Sequence, residues 1–333
     1  MVRVGCIGLG YWGKNLVRNF VGLPGCSLAY CCDLDASVLE KVATAYPSVR
    51  ATVEAGEVFT APEVDAVVIA TPPPTHAELV ARALGAGKHV FVEKPLALTG
   101  AEAERLVTLA AERGRKLMVG HLLKYHPAVQ RIRELILGGE LGRLYYIYSQ
   151  RVNLGQVRNE ENALWSLGPH DVSVILYLLD ADPERVSAWG RAYLQEGVED
   201  VVFLNLLFSD GRMANVQLSW LDPHKIRRMT VVGTRKMVVF DDMEGMEKIK
   251  VYDKGVDYTE DPGYPGGLTL RFGDIYIPRV DATEPLRLEC EHFLQCVEQD
   301  RIPFTDGQDG LRVVRVLEAA QKSIAGGGGP IPL

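Results

Sequence analysis

From residue 2 to about residue 120, short apolar runs alternate with amphipathic segments, a pattern that predicts successive βαβ units and a parallel sheet. The expected strands are Arg3 to Ile7, Ser27 to Cys32, Ala66 to Ala70, His89 to Val92 and Leu117 to Val119. Thr75 with Glu78 and Thr99 with Glu102 have the spacing of a capping box and mark two helix starts. Beyond residue 120 the period changes. Helices are expected over Ala128 to Leu137, closed by Gly138-Gly139, and over Pro169 to Leu179, with Val172, Ile175, Leu176 and Leu179 on one face. Strands follow: Ala214, Val216, Leu218 and Trp220 alternate with Met213, Asn215, Gln217 and Ser219 after an Asp210-Gly211 turn. Runs at Val201 to Phe208, Met229 to Val232 and Met237 to Phe240 extend this into an antiparallel sheet with one face free to pack. Residues 253 to 282, with Pro262-Gly263-Tyr264-Pro265-Gly266-Gly267, read as a long turn-rich excursion of functional or interfacial type. Helices resume over Leu286 to Gln299 and Leu311 to Ala325, before a tail from Gly326 to Gly329. The expectation is an α/β protein of two domains, 1–120 and 121–333, without internal repeats.

Length and composition agree with that division. At roughly 150 residues per domain, 333 residues make about two domains with ample core. The chain has 36 basic and 43 acidic residues, a net charge of −7 and no Lys/Arg cluster, which argues against a nucleic-acid partner. Cysteines 6, 26, 31, 32, 290 and 296 form no C-x-x-C pair and have no His at zinc spacing, so reduced, mostly buried thiols are expected and no metal site. No apolar run approaches the roughly 18 residues of a membrane span, and the N-terminus leads directly into a glycine motif, so a cytoplasmic protein is expected.

Gly8-Leu9-Gly10-Tyr11-Trp12-Gly13 closes the first strand and opens a helix, the context of a dinucleotide fingerprint. The first glycine permits a tight turn, the second a close approach of the pyrophosphate, and the third helix-to-strand packing under a helix N-terminus. Asp33 lies twenty residues beyond Gly13 at the end of the second strand, where a carboxylate accepts ribose hydroxyls and repels a 2′-phosphate. Leu34 and Asp35 follow it without a basic residue, so the reading is a Rossmann-type, doubly wound sheet with NAD, not NADP, as cofactor.

Glu93-Lys94-Pro95 sits at the carboxyl end of the apolar strand Val90-Phe91-Val92, the edge where open α/β sheets bind ligands. Spacing alone is also consistent with an ordinary solvated lysine. His170 follows Pro169 at the expected start of a helix, where the dipole favours a neutral imidazole able to take a proton; a capping or packing histidine is the other reading. His76 and His121 are candidates to line the nicotinamide pocket, and the remaining histidines form no ligand pattern.

The fingerprint, Ala70-Thr71-Pro72-Pro73 after the third apolar strand, Glu93-Lys94-Pro95 and His170-Asp171, in this order, resemble the glucose-fructose oxidoreductase/inositol dehydrogenase/MocA family. The resemblance runs along essentially the whole chain. It implies a Rossmann domain followed by an α/β domain whose large open, mainly antiparallel sheet builds homodimers or homotetramers. It implies that Lys94 and His170 are catalytic at the hydride-transfer site and that Lys94 also touches substrate. Cofactor contacts are implied at Tyr11, Trp12 and Leu34 beside the glycines and Asp33, at Thr71, Pro72 and Pro73, and at Glu93 and Lys94. One departure concerns mechanism: many members carry an aspartate four residues before the histidine, and Ser166 stands there.

The stretch Arg151 to Trp165 reads as a polar loop just before His170. Arg151 and Arg158 are candidate donors to an anionic or hydroxyl-rich substrate, Asn153 and Asn162 candidate readers of sugar hydroxyls, and Trp165 a stacking surface; a solvated loop is the alternative. The segment resembles the subgroup that oxidises nucleotide-linked or glycosidic amino sugars at C3 before amination. The leading expectation is therefore an NAD-dependent sugar dehydrogenase. The alternatives are a keto-sugar reductase or simple polyol dehydrogenase, and a dinucleotide sensor whose catalytic centre has decayed.

Overall fold

The computed structural model describes residues 1–155, 157–158, 161–258 and 267–333. In chain order the elements are β1 (Val2–Ile7), α1 (Gly13–Val21), β2 (Cys26–Cys32), α2 (Ala36–Ala45), β3 (Arg50–Thr52), α3 (Ala55–Thr60), β4 (Ala66–Ile69), α4 (His76–Gly85), β5 (His89–Glu93), α5 (Gly100–Glu112) and β6 (Leu117–Gly120). Then come α6 (Pro127–Leu137), β7 (Leu144–Val152), α7 (Ala163–Leu179), β8 (Arg185–Arg191), β9 (Val201–Leu207), β10 (Met213–Ser219), β11 (Ile226–Gly233) and β12 (Met237–Asp241). The chain closes with β13 (Ile249–Tyr258), β14 (Leu268–Tyr276), α8 (Pro285–Glu298), α9 (Gly307–Ala325) and β15 (Ile331–Pro332). Two compact units result: Met1–Tyr125 with Thr283–Glu318, and His126–Ala282 with Ala319–Leu333.

The first unit holds a parallel six-stranded sheet in the order β3-β2-β1-β4-β5-β6, the doubly wound Rossmann arrangement. Every residue of β4 and β6 is buried, as in strands covered on both faces. Thr99 caps α5, accepting from the Glu102 N–H at 3.2 Å. The expected cap at Thr75 is corrected: a 3-10 turn, Pro73–Thr75, runs directly into α4, so Thr75 already has helical backbone. Its hydroxyl lies 2.7 Å from Thr71 Oγ1 and 2.8 Å from the Pro72 carbonyl instead.

The expected single break near residue 120 is also corrected, because residues 283–318 return to the first unit. The reason is the apolar face of α8. Leu286, Cys290, Phe293 and Leu294 join the core under β1 and β5, with the Phe293 ring 5.8 Å from Phe91 and 6.4 Å from Phe20, all edge to face. Such pairs contribute about 0.5–1.5 kcal/mol each beyond simple burial.

The second unit is built on a nine-stranded sheet, β14-β13-β12-β11-β7-β10-β9-β8-β15, antiparallel except where β7 and β10 run parallel. Ala214, Val216 and Leu218 point inward as the alternation requires, towards the face on which α7 lies. On the outer face Tyr146, Tyr148, Trp189, Phe203 and Met213 are exposed. The excursion expected over 253 to 282 is corrected: residues up to Tyr258 belong to β13 and Leu268–Tyr276 form β14, paired antiparallel with it, while residues 259–266, including Pro262-Gly263-Tyr264-Pro265-Gly266, lie outside the described residues. The glycine tail is likewise followed by a strand, with Ile331 paired to Val186. All six cysteines are free thiols. Among the described residues no helix is long and apolar enough to cross a membrane.

Candidate functional site

At the carboxyl edge of the first sheet the glycine loop has two tight positions and one open one. Gly8 has φ +86°, and a Cβ there would stand 2.7 Å from the backbone of Ala70 and Thr71. At Gly13 it would stand 1.9 Å from the Gly8 carbonyl oxygen. At Gly10 a Cβ would meet nothing within 4 Å, so that glycine answers to no protein neighbour, and the loop is open where a pyrophosphate must approach. The helix it feeds, α1, starts without a side-chain cap and with no acid in its first turn, so no protein carboxylate competes there for an anion. Asp33 lies across the loop: Oδ2 accepts from the Leu9 N–H at 2.6 Å and Oδ1 from the Asp35 N–H at 2.9 Å. Each oxygen keeps a lone pair for a ribose hydroxyl. Tyr11 and Leu34, 82% and 90% exposed, flank this edge. These features fit a dinucleotide.

Trp12 turns inward, its indole N–H donating to Glu93 Oε1 at 2.5 Å, and so ties the loop to the end of β5. Glu93 is half-buried as a residue, but its carboxyl group is below the surface. Burial pushes that carboxyl up to about 7, against the Lys94 charge and the hydrogen bonds from Trp12 and the Lys94 backbone. Lys94, half-buried, follows at the strand end and is joined to Pro95 by a cis peptide.

Two histidines read as cofactor contacts have other neighbours. His76 is fully buried, with Nδ1 2.7 Å from the Pro95 carbonyl and Nε2 2.8 Å from that of Thr71. It ties the Thr71-Pro72-Pro73 loop to the Lys94-Pro95 turn, so its ring nitrogens position both loops. His121, after β6, has Nδ1 2.7 Å from Asp309 Oδ2, while Lys124 Nζ donates to Oδ1 at 2.6 Å. Its buried Nε2 has no hydrogen-bond partner among the described residues. Burial raises the Asp309 carboxyl, but His121 and Lys124 outweigh it and hold the group at about 2.

In the second unit, α7 starts earlier than expected. Asn162 caps it, accepting from the Trp165 N–H at 3.1 Å, and the helix continues through Pro169. His170 therefore lies mid-helix, half-buried, and the argument from the helix N-terminal dipole does not hold for it. Pro169 removes the hydrogen bond to the Trp165 carbonyl, while the Ser173 hydroxyl donates to the His170 carbonyl at 3.0 Å. Buried Ser166 is one turn before His170 on the same helical face, where an aspartate would have faced the imidazole.

The polar loop shrinks accordingly. Arg151 and Val152 belong to β7, where Ile147, Ser149 and Arg151 are the inward alternates. Buried Arg151 donates through Nε to Asp171 Oδ2 at 2.5 Å, and Ser149 Oγ to Oδ1 at 2.5 Å. The Asn162 amide donates to Glu199 Oε2 at 2.5 Å and Gln321 Oε1 at 2.8 Å. In this structure, then, Arg151 anchors α7 beside His170 and Asn162 caps that helix. Arg158 is exposed and paired with Glu161 at 2.6 Å, and Asn153 and Trp165 are half-buried. Gln156, Asn159 and Glu160 of this segment lie outside the described residues.

Asp171, Asp309 and Glu289 carried no role in the sequence reading. Each is an acid on an otherwise apolar helical stripe, a signal that was present: Glu289 falls among Leu286, Cys290 and Phe293, and Asp309 among Val313 and Val316. Among the described residues no group of three or more His, Cys, Asp or Glu is placed to hold a metal.

Comparison with known proteins agrees with this geometry. Residues 2–121 match the Gfo/Idh/MocA oxidoreductase family model, NAD-binding Rossmann fold, and residues 129–239 match the Gfo/Idh/MocA C-terminal domain. The chain is 30% identical over 319 residues to UDP-N-acetylglucosamine 3-dehydrogenase of Acidithiobacillus ferrooxidans, covering 94% of each. A structure of that enzyme aligns with TM-score 0.82 and covers 97% of both chains at 27% identity. The scyllo-inositol 2-dehydrogenase (NAD(+)) of Bacillus subtilis is 28% identical over 98% of this chain and 95% of its own length. GenD2 from gentamicin A biosynthesis, solved in complex with NAD, aligns with TM-score 0.83 at 25% identity, over 100% of this chain and 96% of that one.

The three glycines separate binding from folding. Gly10→Ala should keep the unfolding free energy within the small range of surface substitutions, about ±0.5 kcal/mol, and weaken NAD binding at least about tenfold in calorimetry. Gly13→Ala should lower the melting temperature by roughly 2–8 °C as well, because the new methyl meets backbone. Undiminished NAD affinity in Gly10→Ala would refute the assignment of the open position.

Proposed function

The chain belongs to the Gfo/Idh/MocA oxidoreductase family, and on that footing we propose that it is an NAD-dependent sugar dehydrogenase. Its substrate in this reading is a nucleotide-linked or glycosidic hexose, oxidised at the ring C3 hydroxyl to a ketone ahead of transamination. The observation that carries the reading is the similarity to UDP-N-acetylglucosamine 3-dehydrogenase along 94% of both chains, with Glu93-Lys94-Pro95 and His170 present. A free polyol is the second reading, favoured by the similarity to scyllo-inositol 2-dehydrogenase over nearly the whole of both chains.

NAD, when bound, accepts hydride from the carbinol carbon. The Lys94 ammonium holds and polarises the reacting oxygen, and His170 takes the hydroxyl proton on a ring nitrogen. With Ser166 in the place of an aspartate, the imidazole acts without a carboxylate one turn away; Arg151 and Asp171 fix its helix instead. Asn153, Arg158 and Trp165 remain as candidates to grip the sugar. Asp33 favours NAD over NADP by opposing a 2′-phosphate with its charge. The apolar outer face of the second sheet, with Tyr146, Tyr148, Trp189 and Phe203, is the surface assigned to self-association.

Lys94→Met should abolish turnover while dinucleotide binding persists, and His170→Asn should cost on the order of 10²-fold to 10⁴-fold in rate with a changed pH profile. An unchanged profile in His170→Asn removes it as the base. In a panel of nucleotide hexoses, aminoglycoside-type glycosides and free polyols, NAD and not NADP should be reduced, with nucleotide or glycosidic sugars preferred and the ketone located at C3 by NMR. A trapping aminotransferase guards against an equilibrium that favours the alcohol. Turnover of free inositol with no gain from a nucleotide or aglycone would establish the second reading. Light scattering of the purified protein should give a dimer or tetramer, reduced to monomer by charged substitutions at Tyr148 and Phe203; a wild-type monomer excludes the assigned surface.

A further inference from the structure

Glu289 is fully buried in α8, and neither carboxyl oxygen has a hydrogen-bond partner among the described residues. Leaving such a group unsatisfied costs about 1–3 kcal/mol, and more if it is charged. Its surroundings show what it faces. Phe293, one turn further along α8, packs on Phe91 of β5. Glu93 lies two residues beyond Phe91 on the same face of that strand, and Glu289 one turn before Phe293 on the same face of the helix. The contact that joins the two rings therefore brings the two carboxyl groups towards each other.

We propose that Glu289 is a positioning residue which holds a single proton jointly with Glu93 and, through the Glu93–Trp12 hydrogen bond, keeps the glycine loop in the shape that receives the dinucleotide. Two buried carboxyls in one apolar setting do not both ionise. Glu289, with no cation beside it, is the one that stays neutral, and as a neutral acid it has one O–H to donate. Glu93, which accepts the Trp12 indole and the Lys94 N–H, is the one that carries charge. The groups facing the pair fit this division. Burial and then the charge of Glu93 push Glu289 well above its ordinary value. Lys94 pulls Glu93 down, while Tyr125 and Cys290, raised mainly by burial and further by Glu289, stay neutral beside it. At Gly120, on the neighbouring strand, a Cβ would stand 3.0 Å from the Glu93 carboxylate, so the glycine leaves that carboxylate its place.

The arrangement makes the loop respond to pH. A donor to the charged form of Glu93 lowers its midpoint, so loss of the donor raises it. The test is the fluorescence of Trp12 as a function of pH, taken as the difference between wild type and Trp12→Phe, with and without NAD. The wild-type signal should titrate near neutrality. In Glu289→Leu the midpoint should rise by about one pH unit, and NAD and ADP-ribose alike should bind roughly tenfold more weakly at pH 7, with recovery at higher pH. Glu289→Gln retains a donor and should stay close to wild type. Should Glu289→Leu fail to fold, carboxyl 13C shifts of wild type decide the matter: one glutamate should remain protonated above pH 8, and its signal should be missing in Glu289→Gln. A Glu289→Leu protein with the wild-type midpoint and wild-type NAD affinity overturns the proposal. So does a wild type in which every glutamate titrates near its ordinary value.

Discussion

The burial of Phe91 governs most of what happens at the carboxyl edge of the first sheet. Its ring meets Phe20 of α1 and Phe293 of α8 edge to face, so one side chain ties three elements together. The glycine loop opens α1, Glu93 and Lys94 end β5, and Glu289 sits one turn from Phe293 on α8. Interiors are packed at crystal-like density, so a displacement of this cluster is passed to the loop and the strand end together. The Trp12–Glu93 hydrogen bond is a second tie between the same elements, placed where the cluster gives way to the ligand-binding edge. This is why a helix more than 180 residues away in sequence from β5 belongs to the dinucleotide-binding unit.

Most of that unit is legible from sequence because its signals coincide. Strands covered on both faces read as apolar runs, and the fingerprint glycines sit at the turn between the first run and the first helix. β3 and β15, of three and two residues, are too short to show a period. The return of α8 and α9 is illegible for another reason: an amphipathic helix announces an apolar face but not the sheet it will cover.

Near His170 the sequence misleads through residues that are polar for structural reasons. β7 places Ser149 and Arg151 at inward positions, so the end of the strand from Arg151 onward reads as part of a polar loop, and only the buried Asp171 they bond accounts for these polar residues. Pro169 carries the signal of a first helical turn, yet α7 begins six residues earlier, where the Asn162 side chain meets the Trp165 N–H. A favourable cap upstream lets tertiary burial carry the helix through the proline. Thr75 shows the converse, a capping-box pattern displaced by a preceding 3-10 turn. In both cases the local motif is real as a preference and loses to a neighbouring element that satisfies the same backbone groups.

Three acids lie on apolar helical stripes, and their partners divide them into two kinds. Asp171 is matched by Arg151 and Ser149, and Asp309 by His121 and Lys124. A buried carboxylate with cationic donors on its oxygens is fixed in charge. Asp309, held at about 2, gives stability that is complete above the ordinary aspartate range and is lost only as pH falls through that value. It contributes nothing to behaviour near neutrality. Glu289 has no such donors, and burial with the charge of Glu93 drives it the other way and keeps it neutral, so the charge that moves near neutrality is that of its neighbour Glu93, held at about 7. Ionic anchors thus hold the helices that carry His170 and support His121, while the acid left without an anchor stands beside the strand end that meets the cofactor loop. An acid whose charge is fixed by a cation serves to hold geometry; one that shares its proton with a neighbour is able to change it.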